Sequence, residues 1–345
     1  MKRLALLAIA ASLAAPAAVA AEGAVPVTPE TFPRAETDLH LSRLVKESGL
    51  GKFQHERKPP PIDKQRAVKA DRNILASDAV FDLDAGPVTI TLPDAKPRYL
   101  SLQIVDEDGY TPEVDYAPGA HLLAKERIGT RYAFAALRVF VDPDDPKDLA
   151  AANALQDAVM VEQPGGPGAF QIPNWDAAQQ AEARAGLLAL AQTLSDAKGM
   201  FGPKGKADPV RHLIGSASAW GGLPIEDLLI VEGQPAHDDG RTIYRLELKD
   251  APEDGFWSVS VYNDRGFFEP NPEKTYSVAS VGAKPGPEGT VALQFGGCES
   301  GASNCLPTPP GWSYILRLYR PRQEALEGRW AVPPLNAAAP PAAAK

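Results

Sequence analysis

Cysteine is scarce in this chain, which has only Cys298 and Cys305 among its 345 residues. In an oxidising compartment, two cysteines separated by six residues predict one short-range disulfide. Closing a loop of about eight residues is expected to stabilise the fold by roughly 2.5 kcal/mol, so this bond is a local staple. Alternatively, the two thiols begin a metal site. Because the five histidines are scattered and no Cys-x-x-Cys occurs, we expect no metal.

Long apolar runs are missing after the first twenty residues. At the start, Lys2-Arg3 precedes an apolar segment from Leu4 to Leu13, which leads to Ala18-Val19-Ala20. This pattern is typical of a signal peptide (residues 1–20) with an Ala-x-Ala cleavage site. We therefore expect a periplasmic or secreted protein of a Gram-negative envelope, with no membrane span after cleavage. The alternative is an uncleaved membrane anchor.

An excess of basic residues is also lacking. Without the signal peptide the chain has 33 Lys and Arg against 44 Asp and Glu, which gives a net charge of −11, and it has no block of basic residues. An acidic exported protein is a poor binder of nucleic acids and of anionic membranes. The expected partners are small molecules or other proteins.

The common catalytic signatures are absent. The sequence contains no Gly-x-Gly-x-x-Gly, no Walker loop, no His-Glu-x-x-His and no Gly-x-Ser-x-Gly. No cofactor is therefore predicted.

What the sequence does contain is period-two alternation of apolar and polar residues. In a first unit, residues 65–142, such alternation predicts strands at 78–84, 88–92, 100–104 and 132–141. Strands at this spacing, separated by turn residues, favour a small β-sandwich. Four further strands are predicted near the C-terminus, at residues 243–248, 256–262, 291–295 and 314–319.

Helical patterns lie between and before these strands. Asp142-Pro143-Asp144-Asp145-Pro146 and Asp208-Pro209 are predicted helix starts, because Asp accepts first-turn N–H bonds and Pro is tolerated at the first helical position. Residues 21–64 are rich in proline and charge, which predicts a loosely packed arm with one helix around Leu39 to Leu50. The Ala/Pro-rich tail, residues 335–345, is expected to be disordered.

Two groups of residues resemble known domains. In the first unit, three segments are similar to the domain of unknown function 1254: Ala70-Asp71-Arg72-Asn73, Pro97-Arg98-Tyr99 and Gly129-Thr130-Arg131-Tyr132. Near the C-terminus, three are similar to its usual companion, the domain of unknown function 1214: Gly255-Phe256-Trp257-Ser258, Asn304-Cys305-Leu306-Pro307 and Arg317-Leu318-Tyr319-Arg320-Pro321.

This resemblance implies a mainly β fold in three parts. The expected parts are an immunoglobulin-like β-sandwich at 65–142, a helical insertion at 143–207 and a jelly-roll domain at 208–334. No reaction is established for the family, so the resemblance assigns no catalytic residue. Where family members more often have Asp-Thr-Leu-Tyr, this chain has Ile74-Leu75-Ala76-Ser77, so any site lined by that segment is altered here.

Six residues are candidates for ligand binding. Arg211, His212 and Trp220 lie on or after a short helix between the two β regions, where an Arg fork and an aromatic face suit an anionic or sugar-like ligand. The alternative is that Arg211 pairs with a carboxylate, His212 is satisfied and Trp220 fills space.

The other three candidates lie in the first unit. Asp106 belongs to an acidic loop after a core strand, where carboxylates can do acid–base work or hold a cation, although a solvated loop is the simpler interpretation. Arg72 and Asn73 either bind a ligand or brace the first sandwich.

The sequence favours one function and leaves two alternatives open. We expect an exported two-domain β protein that binds a small polar or carbohydrate-like ligand at the domain junction. The alternatives are a periplasmic hydrolase or lyase that uses His212 with a carboxylate such as Asp106, and a structural envelope protein.

Overall fold

The fold was obtained as a computed structural model, which describes residues 23–338. The predicted signal peptide lies outside these residues. Within them the chain is mainly β, as expected, with four sheets and several helices. The helices are α1 (Phe32–Ser48), α2 (Lys125–Ile128), α3 (Pro146–Asp157), α4 (Ala177–Ala191), α5 (Pro209–Ser218) and α6 (Gln323–Leu326). Three short 3-10 helices span Leu83–Ala85, Pro287–Gly289 and Cys298–Ser300.

The strands match most of the predicted alternation. In the first β half (residues 54–162) they are β1 (Gln54–His55), β2 (Ile74–Asp82), β3 (Val88–Leu92), β4 (Leu100–Asp106), β5 (Glu113–Asp115), β6 (Gly119–Leu123), β7 (Tyr132–Phe140) and β8 (Met160–Glu162). In the second β half (residues 228–337) they are β9 (Leu228–Gly233), β10 (Tyr244–Leu248), β11 (Glu253–Tyr262), β12 (Ser277–Ala279), β13 (Val291–Phe295), β14 (Cys305–Leu306), β15 (Ser313–Pro321) and β16 (Asn336–Ala337).

The first β half consists of two antiparallel sheets that bury one common core. A five-stranded sheet has the order β1-β2-β7-β4-β5, and a three-stranded sheet has the order β6-β3-β8. Leu75, Leu102 and Leu137 of the larger sheet pack in the same cluster as Ile90 and Leu123 of the smaller one. Because side chains alternate along a strand, the opposite face of the five-stranded sheet is left for other partners.

The second β half is built in the same way from two four-stranded sheets. Their orders are β14-β13-β10-β16 and β12-β11-β15-β9, and all pairs are antiparallel except β13 with β14. Trp257 and Leu316 from one sheet meet Leu246 and Phe295 from the other, with Trp312 fully buried among them. The face of β11 and β15 that points away from this core is turned toward the first β half.

A helical layer covers part of the outer face of the five-stranded sheet. Helix α1 contacts α4, α5 and β2, and Phe32, Ala35 and Leu41 on it are fully buried. The prediction of a loosely packed arm is therefore wrong. The helix also begins seven residues earlier than expected from its apolar pattern.

Both predicted helix starts are confirmed. The carboxylate of Asp145 accepts a hydrogen bond from the amide of Lys147, and that of Asp208 accepts from the amides of Val210 and Arg211. Each Asp satisfies N–H groups that have no partner within the helix.

The predicted disulfide is present, with 5.5 Å between the Cα atoms of Cys298 and Cys305. The predicted tail differs at its start, because Asn336 and Ala337 pair with Arg245 and Tyr244 of β10. Residues 339–345 lie outside the described part of the chain. Across residues 23–338, none of the helices combines the length and the apolar character that crossing a membrane requires.

Candidate functional site

The residues predicted on α5 lie in the helical layer. Arg211 pairs with Asp196 at 2.7 Å and also donates to the carbonyl oxygens of residues 196 and 198. His212 is 3 % exposed, and its ring nitrogens lie 2.9 Å from the carbonyl oxygen of Asp108 and 3.3 Å from that of Met200. Burial lowers the pKa of His212. Arg211 and His212 thus contact different groups and share no partner.

Trp220 follows α5 and closes over the outer face of the five-stranded sheet. Its ring stacks on His40 of α1 with 4.3 Å between centroids, and it lies 5.0 Å from the ring of Phe134. Its Nε1 donates to the hydroxyl of Thr37 at 2.9 Å. The residue remains partly exposed.

Asp106 is buried and not part of a solvated loop. Its carboxylate accepts hydrogen bonds from the amides of Asp108 and Tyr110, both at 2.9 Å, and so shapes the turn that follows β4. Burial, with a contribution from the Asp108 charge, raises the pKa of Asp106 to about 7. The structure does not pair this carboxylate with a ring nitrogen of His212, because both groups bind backbone atoms.

Arg72 and Asn73 lie where the two β halves meet. The preceding residue, Asp71, accepts a hydrogen bond from the hydroxyl of Tyr319 at 2.7 Å, and its carboxylate lies 3.6 Å from the guanidinium of Arg317. Asp71 belongs to a segment that resembles the first domain, whereas Arg317 and Tyr319 belong to a segment that resembles the second. The two resemblance segments are therefore in direct contact.

Arg317 is a buried cation held by several partners. Its Nη atoms donate to the hydroxyl of Tyr262 at 3.0 Å and to the carbonyl oxygen of Lys69 at 2.6 Å. Burial alone would lower the pKa of Arg317, but the neighbouring Tyr262 and Asp71 outweigh that effect and raise it. The guanidinium thus stays charged at any physiological pH.

Several polar atoms around this cation have no hydrogen-bond partner among the residues that the structure describes. They are Arg72 Nε, Asn73 Oδ1 and the hydroxyls of Ser258, Ser260 and Ser277. Strand register links them, since Ser258 lies opposite Arg317 and Ser260 lies opposite Ser277. Leaving a buried polar atom unpaired costs about 1–3 kcal/mol, so a cluster of such atoms is unusual in a folded protein. We call these five residues, with Asp71, Arg317 and Tyr319, the junction site.

One side of the junction site reaches the surface. The guanidinium of Arg72 lies 5.4 Å from the ring centroid of Tyr276, and both residues are partly exposed. Tyr276 directly precedes Ser277, so this partly exposed pair is adjacent in the chain to the buried serines. On another side, the site is closed by packed aromatic residues: Tyr99, Phe140, Phe256 and Tyr319.

The sequence indicated part of this site but missed its centre. The sequence predicts Arg72 and Asn73 as site residues, whereas Asp71, Arg317 and Tyr319 belong only to the segments that carry the family resemblance. An available signal was the charge at Arg317, which interrupts an otherwise apolar strand. Within residues 23–338, no group of three or more His, Cys, Asp or Glu side chains is arranged to hold a metal ion.

Comparison with protein families identifies both halves of the chain. Residues 50–121 match the protein of unknown function (DUF1254), and residues 231–323 match the protein of unknown function (DUF1214). These two matched domains are the ones that the sequence resembles.

Solved structures with a similar fold exist. The VPA0106 protein from Vibrio parahaemolyticus is 16 % identical with a TM-score of 0.73, over 90 % of this chain and 98 % of that one. An uncharacterized protein from Burkholderia cenocepacia is 12 % identical with a TM-score of 0.47, over 85 % of each chain. The first similarity shows a shared fold. A search of the curated proteins gave no match.

Proposed function

We propose that this protein binds a small polar, carbohydrate-like ligand at the junction site. The observation that carries the proposal is the set of five buried polar atoms without partners beside a fixed cation. Three hydroxyls both donate and accept, Arg72 Nε donates, and Asn73 Oδ1 accepts. A polyhydroxyl ligand offers the same mixture of donors and acceptors. Arg72 and Tyr276 are partly exposed, and Tyr276 offers a ring on which a sugar face can pack.

The finer architecture is part of the proposal. We assign the first sandwich, residues 65–142, to the immunoglobulin-like type and residues 208–334 to the jelly-roll type, with the helical insertion at 143–207 between them. This assignment is supported by the two sheets of each half, which bury one common core. It places the junction site between two separately built β domains, where ligand sites concentrate.

A thermal-shift panel of neutral monosaccharides, disaccharides and uronic acids tests the proposal. We expect at least one sugar to raise the melting temperature by several degrees, because a ligand at 100 times its Kd stabilises the native state by about 2.7 kcal/mol. The double variant Ser258→Ala/Ser277→Ala should lose this shift. Without sugar it should melt at the same temperature as the parent or higher, since alanine removes unpaired hydroxyls.

Two matched controls accompany this panel. Ser195→Ala removes an exposed hydroxyl that does not belong to the junction site, and it should keep the full shift. Arg211→Ala tests the prediction that Arg211, His212 and Trp220 line the ligand site, and we expect it too to keep the shift. Absence of a shift with every sugar would favour a structural envelope protein, and a shift that persists in the double serine variant would place the ligand elsewhere.

Export is the second part of the proposed function. The observation behind it is the charged start, apolar segment and Ala18-Val19-Ala20 at the N-terminus. When the full chain is expressed in a Gram-negative host, N-terminal sequencing of periplasmic material should begin at Ala21 or Glu22. Recovery of intact Met1 from a washed membrane fraction would contradict this expectation.

A further inference from the structure

The outer face of the five-stranded sheet carries a second polar cluster, separate from the junction site. In the pairing of β2 with β7, Asp78 lies opposite Ala136 and Ala76 lies opposite Arg138. Two charged side chains therefore sit on a diagonal, and two alanines occupy the other diagonal. Diagonal neighbours in a sheet are about 7–8 Å apart, so the short alanines leave space between the charges.

Asp78 has an unused carboxylate. Among the residues that the structure describes, its side chain makes no hydrogen bond and no ion pair within 4.0 Å. The residue is partly exposed. Burial raises the pKa of Asp78 to about 6, the Arg138 charge partly offsets this and the Glu56 charge adds to it. At neutral pH the carboxylate is therefore mostly ionised and lacks a direct partner.

Two hydrogen bonds hold the side chain of Arg138 in place and leave some of its N–H donors free. One Nη donates to Oε1 of Gln103 at 2.7 Å, and the other donates to the carbonyl oxygen of Gly221 at 3.1 Å. A guanidinium has five N–H donors, so three remain for a ligand. These two bonds fix the plane of the fork, which is what recognition of a carboxylate requires.

The residues around this cluster have different chemistry on its two sides. Near Arg138, Trp220 and the His40 ring stacked on it form an aromatic wall, and Gly221 connects this wall to Arg138. Near Asp78, the charge of Glu56 adds a second acidic group. One side therefore favours an anion beside an apolar group, and the other favours a cation.

We infer that this cluster, formed by Asp78, Arg138, Glu56 and Trp220, is a second ligand site that binds a small zwitterion of the α-amino acid type. The ligand's carboxylate binds the free N–H donors of Arg138. Its ammonium group binds the carboxylate of Asp78, and its side chain packs against Trp220. A simple anion would bind Arg138 but leave Asp78 without a partner. A simple amine would bind Asp78 but leave the free donors of Arg138 without one.

The test begins with the twenty standard L-amino acids as probes in a thermal-shift assay at pH 7.5. For the amino acid with the largest shift, isothermal titration calorimetry then compares it with its deaminated and decarboxylated analogues. We expect removal of either charged group to weaken binding at least tenfold. Equal binding of the analogue that lacks the ammonium group would overturn the zwitterion assignment.

Two variants locate the site. Asp78→Asn keeps the shape of the side chain and should leave the melting temperature without ligand unchanged or raised, because the charged form of Asp78 is disfavoured by burial. It should nevertheless weaken amino acid binding at least tenfold. Arg138→Gln should weaken binding as strongly and also lower the melting temperature, since it loses the bonds to Gln103 and Gly221.

The junction site supplies the matched control. Ser258→Ala/Ser277→Ala should bind the amino acid as tightly as the parent does. The amino acid result therefore does not depend on whether the sugar proposal is correct. No shift with any of the twenty amino acids, or binding by Asp78→Asn that equals that of the parent, would overturn the inference.

Discussion

At the scale of single residues, the contact of Asp71 with Arg317 and Tyr319 joins the two β halves. Arg317 is 4 % exposed, and its partners come from both sides of the junction. Removing one member of a buried charge pair leaves the other without compensation, which typically costs 3–5 kcal/mol. This contact is therefore both a structural link and a wall of the junction site.

Substitutions at this contact should lower the free energy of unfolding more than a substitution at an exposed ion pair. We expect Arg317→Leu to lower the free energy of unfolding by about 3–5 kcal/mol and Tyr319→Phe to lower it by about 1–3 kcal/mol. Urea unfolding followed by tryptophan fluorescence measures both. Arg322→Leu, at the exposed pair with Asp254, is the control and should change stability by about 1 kcal/mol or less. Equal effects at Arg317 and Arg322 would show that the buried contact does not join the halves.

The sequence predicted the neighbours of this contact more easily than the contact itself. Arg72 and Asn73 can be predicted as candidates because they are polar residues that directly precede a strand. Arg317 lies in a strand with buried residues on both faces, Leu316 and Leu318 on one and Ile315 on the other. Periodicity shows which residues share a face but not what covers that face. The covering segment, at Lys69 to Asp71, is more than 240 residues away in sequence, and no local pattern reports it.

At the scale of elements, α1 shows why an apolar pattern can misplace a helix. The first turns of α1 bury polar residues: Glu36 accepts from Arg184 of α4, Thr37 accepts from Trp220, and Asp38 accepts from Trp175. A buried face made of polar groups is invisible to a search for apolar periodicity. The strands were predicted well because their inward positions are apolar.

Asp38 makes the packing of α1 dependent on pH. Its side chain is fully buried, and Oδ1 has no hydrogen-bond partner in residues 23–338. Burial, assisted by the charge of Glu107, raises the pKa of Asp38 to about 6. A carboxyl whose folded pKa is raised favours the fold when protonated. Its contribution is therefore complete below about pH 4 and is lost as the pH rises through 6.

We accordingly expect Asp38→Asn to stabilise the protein at pH 8 by on the order of 3 kcal/mol and to have a much smaller effect at pH 4.5. Urea unfolding at the two pH values measures this difference. Asn keeps an oxygen that accepts from Trp175, so the substitution preserves that contact. The exposed Asp254→Asn is the control. A stabilisation that is the same at both pH values would show that Asp38 does not titrate in this range.

At the scale of the whole molecule, two β halves and a helical layer meet around polar groups. Most of the apolar core lies inside each half, whereas the contact between halves combines packed aromatic residues with Asp71, Arg317 and unpaired hydroxyls. Asp71 and Arg317 are explained by their contacts across the junction. The hydroxyls without partners in residues 23–338 are not, and a bound ligand would account for them.

The central claim is that the junction site holds a ligand, and a crystal structure at about 1.5 Å resolution with the best sugar of the panel tests it most directly. We predict electron density for the sugar with its oxygens within about 2.7–3.2 Å of at least three of the five unpaired atoms, Arg72 Nε, Asn73 Oδ1 and the hydroxyls of Ser258, Ser260 and Ser277. Side chains that close the space and pair these atoms with one another, with no density between them, would contradict the account.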